Sequence, residues 1–193
     1  MAERAERAEA LGGMPIGRRT PRGTKRWYLV HAPGREQVTC EKVKKLVPPE
    51  LLDDAFVMQK ERIRKRDGKW VTYTVPMYQD YFFVVTKDVS ALDKELSKLS
   101  FPARIAKGEG RHYAPMAQEA QSWYERMMDD THTIRASTAV IVNGELRIQD
   151  GPMVGQEECV TKIVRHKSMC AVAVGEGGST FSEFVPFAVP FKS

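Results

Sequence analysis

The sequence predicts an α+β fold in two parts: an N-terminal α/β sandwich built on an antiparallel sheet, then a small C-terminal β-barrel. Three observations carry this expectation. Up to about Met128, strand-like runs alternate with stretches of helical period, as in a sheet covered by helices. Beyond that point helical period stops, and five short strand-like runs are split by turn residues. Between the two lies DDTHTIRAST, which is polar and without period. The expected division is a basic, disordered leader over 1–24, a first domain over 25–128, a linker over 129–138 and a barrel over 139–193.

The leader combines an Ala/Glu/Arg repeat with Gly, Pro and Arg, and lacks apolar surface to offset its ordering entropy. Then RWYLVHA, aromatic and β-branched, reads as a strand broken by Pro33 and Gly34. Cys40, Val43 and Val47 recur at helical spacing, and Pro48-Pro49 ends that helix. AFVMQKERIRKR and KWVTYTVPMY flank Asp67-Gly68, a pair that tolerates positive φ and predicts a hairpin. YFFVVT follows as a buried strand, with Tyr81, Phe83 and Val85 on one side and Phe82 and Val84 on the other. Ser90-Ala-Leu-Asp93 reads as a capping box opening a helix with Leu92, Leu96 and Leu99 as its stripe. ARIA is a short strand, and Pro115 starts a helix that carries Met116, Ala120, Trp123, Tyr124 and Met127 on one face. In the barrel, AVIV, ELRI, CVTKIV, MCAVAV and TFSEFV are the strands, parted by Asn143-Gly144, Asp150-Gly151-Pro152, His166-Lys167 and Gly175 to Gly178.

Composition narrows the function. The formal net charge is +5 over 193 residues, a mildly basic balance that favours polyanionic partners. Its three cysteines, Cys40, Cys159 and Cys170, form no C-x-x-C pair, so ordinary zinc-knuckle spacing is absent and a reducing cytoplasm is expected. The four histidines are scattered, without H-x-x-x-H spacing. Neither a G-x-S-x-G elbow nor a phosphate-cradling G-x-x-x-x-G-K-[ST] loop occurs. The expectation is a binding protein with no catalytic set, metal or cofactor. An apolar run of about 20 residues would be needed to span a bilayer; none is present, so no membrane partner is expected.

Basic residues gather in two places. The hairpin arm concentrates Lys60, Arg62, Arg64, Lys65, Arg66 and Lys69 around Asp67-Gly68, and period 2 puts Arg62, Arg64 and Arg66 on one face, suited to tracking phosphates. Lys162, Arg165, His166 and Lys167 cluster at a barrel turn, a compact tool for the backbone of folded RNA. The bland alternative in both places is a solvated turn whose charge guards against aggregation.

Three patterns, in order, resemble the NusG family of transcription factors. Trp27-Tyr28 followed by Gly34-Arg35-Glu36 is similar to the W-Y-x-x-x-x-x-G-K-E opening of the family's N-terminal (NGN) domain. Pro76-Met-Tyr-Gln-Asp-Tyr-Phe-Phe-Val84 is similar to its P-L-F-P-G-Y-x-F-V strand signature. Gly144-Glu145 to Gly151-Pro152-Met153-Val154-Gly155 is similar to the KOW motif G-D-x-V-x-V-x-x-G-P-x-x-G. The resemblance spans roughly Lys25 to Val189. Gln79-Asp80 replaces Pro-Gly, so a different turn geometry is expected; Glu145 replaces Asp; Glu158 stands where a second glycine is usual, so positive φ is not expected there. These departures point to a specialised paralogue, and Lys162 to Lys167 looks most like the LoaP branch of operon-specific antiterminators, associated with an RNA hairpin in the leader transcript.

The resemblance implies an NGN-type sandwich and a KOW barrel, acting as a monomer in the cytoplasm. A hydrophobic depression on the first domain would receive the RNA polymerase clamp, with His31, Tyr78, Tyr81 and Phe83 at or near it; the alternative for these aromatics is ordinary core packing. Nucleic-acid contacts would fall to Arg35 of the first motif and to the two basic groups, engaging nascent RNA or non-template DNA. The implied action is to hold the clamp closed and suppress pausing and termination, with the barrel tethered by its linker. A general elongation factor whose barrel meets a ribosomal protein or termination factor, and a ribosomal or other RNA-binding protein with a KOW barrel, are the competing expectations.

Overall fold

The aromatic, β-branched run RWYLVH forms β1 (Arg26–His31), and YFFVVT, its antiparallel neighbour, forms β5 (Tyr81–Thr86). The computed structural model describes residues 24–108, 112–175 and 181–189, without the side chains of Lys65 and Trp70; the leader expected over 1–24 lies outside them except for Thr24. The protein is α+β, with three helices and several sheets among the described residues. None of these helices is long and apolar enough to cross a membrane.

By packing, the chain divides into two units. One runs to Met58 and resumes over Met77–Gln121; the other holds Gln59–Pro76 and continues from Ser122. The hairpin, expected within the first domain, is thus grouped with the C-terminal half.

The first unit has a four-stranded sheet in the order β2-β5-β1-β6, where β2 is Asp54–Phe56 and β6 Arg104–Ile105. Tyr28, Val30, Phe82 and Val84 point to one face and share a core with Cys40, Val43 and Val47, contributed by and just after helix α1 (Glu36–Leu46), and with Leu92 and Leu96 of helix α2 (Val89–Leu96). The cap of α2 is Asp88 rather than Ser90: its carboxylate accepts from the Ala91 N–H at 3.0 Å, satisfying one of the helix's free donors. The third helix, α3 (Gln118–Met127), begins three residues after Pro115; before it, the Met116 N–H donates to the Trp27 carbonyl at 2.9 Å. The expected inward face of α3 is buried, from Ala120 through Trp123 and Tyr124 to Met127.

The run AFVMQKERIRKR does not form one strand. Ala55 and Phe56 pair with β5, whereas β3 (Gln59–Arg66) pairs with β4 (Lys69–Pro76) as the hairpin. Asp67 (φ 51°) and Gly68 (φ 78°) both take the left-handed conformation that a two-residue turn of this twist requires. A third strand, β7 (Thr133–Ile134), lies parallel on the other edge of β3. The stretch expected as a linker therefore contributes to a sheet.

The five expected C-terminal strands all form: β8 (Ser137–Val142), β9 (Glu145–Asp150), β10 (Val160–Val164), β11 (Met169–Val174) and β12 (Phe181–Ala188). Their order is β10-β11-β12-β8-β9, so among the described residues β9 and β10 are the outer strands of this sheet. A 3-10 turn, Glu157–Cys159, intervenes between them, and a Glu157 carboxylate oxygen accepts the Ile148 N–H at 3.0 Å. This side chain, rather than β10, takes up that donor of β9. Glu158, inside the turn, has no positive φ.

Candidate functional site

Opposite its helix-covered face, the first unit's sheet carries aromatic rings. In the β1–β5 register Leu29 faces Phe83 and Trp27 faces Val85. The Phe83 ring lies 5.5 Å from Phe56 in a stacked arrangement, 5.7 Å from Trp27, and 5.6 Å edge-on from Tyr78; His31 and Tyr81 are 5.0 Å apart. Rings at these offsets interlock and gain beyond simple burial. Phe83 is 1% exposed and Tyr81 6%, so both are packed, whereas His31 and Tyr78 are half-buried. Of the four residues assigned to a polymerase contact, two therefore reach the surface. At the neighbouring turn Asp80 itself adopts a left-handed φ of 66°, a conformation glycine also takes freely, and its carboxylate accepts the Gly34 N–H at 2.6 Å.

The hairpin sorts its charges by face. Across the β3–β4 ladder Arg62 pairs with Tyr73, Arg64 with Val71, and Arg66 with Lys69. Alternation sets Arg62, Arg64 and Arg66 on one face with Lys69, Val71 and Tyr73. The Arg64 guanidinium sits 4.7 Å from the centre of the Tyr73 ring. The side chain of Lys65 lies outside those described. Lys60 is half-buried: burial pushes its pKa down, against the pull of nearby Glu183, and its Nζ donates to the Phe184 carbonyl at 3.4 Å.

The second basic group is compact. Arg165, His166 and Lys167 form an exposed 3-10 turn ended by Ser168 in the left-handed conformation, and Lys162 is exposed on β10. Arg35, also exposed, precedes α1 in the first unit. Cys40 and Cys170 are free, buried thiols whose pKa values burial pushes up to about 12, which keeps them unreactive near neutrality.

Two features escaped sequence reasoning. Tyr73 was legible only as a strand residue. The other is a hydrogen-bonded clasp centred on Asp129, whose Oδ1 accepts from the Thr131 N–H (2.8 Å), the Thr131 hydroxyl (2.6 Å) and the Thr133 N–H (3.1 Å), while Oδ2 accepts from Arg135 Nε at 2.5 Å. Arg135 also reaches Glu61 at 3.1 Å, and Glu61 accepts the Ala136 N–H at 2.8 Å, tying this segment to β3. The D-x-T-x-T spacing is the local signal that reveals it.

Burial raises the Asp129 pKa, but the hydrogen bonds from Thr131, Thr133 and Arg135 together outweigh it and hold the carboxyl well below the ordinary carboxylate range. A depressed folded-state pKa stabilises above the unfolded value, about 3.9, and that contribution is lost as pH falls through the folded value. Asp129→Ala is expected to cost about 1–2 kcal/mol near neutrality, since the site is partly solvated and water replaces some partners. In melting curves the gap between wild type and variant should narrow below about pH 4; a gap that is flat across this range would count against the clasp.

In comparisons with known proteins, no family model matches the chain, and no curated protein matches it.

Proposed function

We propose that this protein is a specialised NusG-type transcription factor, whose NGN-like first unit binds elongating RNA polymerase and suppresses pausing and termination. Its basic residues engage nucleic acid, and its C-terminal five-stranded unit is KOW-like. The observation that carries this is the coincidence of motif and element. Trp27-Tyr28 and Tyr81 to Val84 occupy adjacent, hydrogen-bonded strands of one sheet. The glycines of the third motif sit at turns on both ends of β9, with Gly144 (φ 85°) and Gly151 (φ 96°) in conformations that L-residues rarely adopt. The Asn143-Gly144 turn has positive φ at both positions, as a two-residue hairpin needs. Half-buried Tyr78 and His31 supply aromatic surface for a protein partner, a role in which such rings are favoured. Tethering is not assigned to 129–138, which the Asp129 clasp and β7 hold to β3.

Affinity capture of the tagged full chain tests the proposal: polymerase subunits are expected in the eluate, and ribosomal RNA and proteins without polymerase would overturn it. For the RNA limb, Arg165→Glu with Lys167→Glu should abolish readthrough of a terminator while capture persists. Readthrough unchanged in this double variant would remove the C-terminal turn from the RNA role.

A further inference from the structure

We infer that the outer face of the β3–β4 ribbon binds an unpaired nucleic-acid strand, with a base stacked on the Arg64–Tyr73 pair and phosphates held by Arg62, Arg66 and Lys69. This rests on the nucleic-acid limb of the function proposed above and narrows it from polyanions in general to single strands.

Among the ladder residues with described side chains, Arg62, Arg64, Arg66 and Lys69 share one face, together with the half-buried Lys60 at its far end near Glu183. Within the ladder, the face carrying Arg62, Arg64, Arg66 and Lys69 has Val71, Tyr73 and Val75 as its remaining members on β4, and no carboxylate. The single acid of β3, Glu61, alternates to the opposite face and is engaged by Arg135 and the Ala136 N–H. Asp67 lies at the tip, 3.8 Å from Arg66 with both side chains well exposed, a pairing that solvent screens heavily. Same-face neighbours along β3 recur about every 6.6 Å, so the three arginines make an extended row rather than a point cluster.

The aromatic component distinguishes a strand from a duplex. Tyr73 is 38% and Val71 42% exposed, on a ribbon whose β4 is an edge strand. Burying Tyr73 in a core would remove it from any ligand; here it stays accessible under a guanidinium 4.7 Å from its ring centre. A planar guanidinium on a ring keeps its N–H edge free for a phosphate while the pair presents flat surface. Unpaired bases stack on such surfaces irrespective of sequence, whereas the bases of a duplex are already stacked on one another. An acidic polypeptide would match the charge but leave the ring without a planar partner.

The test measures binding of a labelled homopyrimidine oligonucleotide of about 12 nucleotides to the full chain by fluorescence anisotropy, with a duplex of the same length alongside. The single strand is expected to bind more tightly. Tyr73→Ala should weaken it about tenfold and Tyr73→Phe by less than about twofold, with the salt dependence unchanged because no phosphate contact is lost. Arg62→Ala should instead flatten the salt dependence. Tyr73→Thr, a strand-compatible replacement, stands in if the alanine variant melts early. Duplex binding equal to single-strand binding, wild-type affinity in the Tyr73 variants, or equally effective competition by polyglutamate would each overturn the site. Polymerase capture by the same variants separates the two proposals: intact capture with flat oligonucleotide binding sinks the strand site alone, and normal oligonucleotide binding without capture sinks the transcription role alone.

Discussion

Gly151→Ala is expected to destabilise the second unit by about 3–5 kcal/mol, read as a lowered denaturant midpoint of the full chain. Gly151 has φ 96°, and a Cβ built there would lie 2.6 Å from both Cα and Oγ of Ser137 and 2.9 Å from the Ala136 carbonyl oxygen. Neither obstacle yields easily. Ser137 is fully buried where β8 begins, and its hydroxyl accepts the Met153 N–H at 3.0 Å, so the turn is sewn to the strand it covers. Gly155 is the internal control. It too has positive φ (77°), yet nothing lies within 4 Å of its would-be Cβ. Its alanine variant should carry only the left-handed conformational cost, about 1–2 kcal/mol. Equal losses at the two sites would show that backbone conformation, and not the close approach to Ser137, governs the turn.

Phe83→Ala is expected to cost the first unit a similar amount, about 3–5 kcal/mol, since it deletes a fully enclosed ring and leaves a cavity. The ring is 1% exposed and touches Trp27, Phe56 and Tyr78 at centroid distances of 5.7, 5.5 and 5.6 Å. Phe83→Leu, which restores most of the volume, should recover the greater part of this loss. Urea denaturation distinguishes the roles: a stability unchanged by the alanine substitution would mean that Phe83 is an anchor for a partner and not part of the core.

Local chemistry made several elements legible. YFFVVT has enough apolar residues to be buried on both faces, and Asp67-Gly68 and Asn143-Gly144 carry the left-handed preference that a tight hairpin demands. The alternation of Arg62, Arg64 and Arg66 likewise marks the basic face of the ribbon in the sequence itself. Other features depend on partners distant in sequence. Nothing local marks the change of sheet at Val57-Met58, where two apolar residues continue a strand-like pattern while the chain leaves β5 for a new neighbour. The two-residue β7 is too short to have a period and exists because β3 offers it an edge. The burial of Lys60 depends on β12, more than a hundred residues later, and among the described strands none pairs with the outer edge of β4. In α2 the sequence pointed to Ser90 as the cap, whereas the bond from the Ala91 N–H goes to Asp88, two residues earlier.

The covalent path through the two units has a consequence for dissection. Because Gln59–Pro76 is grouped with the later half while the residues on either side of it belong to the earlier one, the polypeptide passes from unit to unit at three places instead of one. No single scission can release two intact halves, and a fragment stopped after Met128 would keep β3 while discarding β7 and the Arg135 that grips Glu61. The two halves are thus inherited, translated and cut as one interlaced thread, and an exchange of the C-terminal half with a relative would have to carry the hairpin along with it.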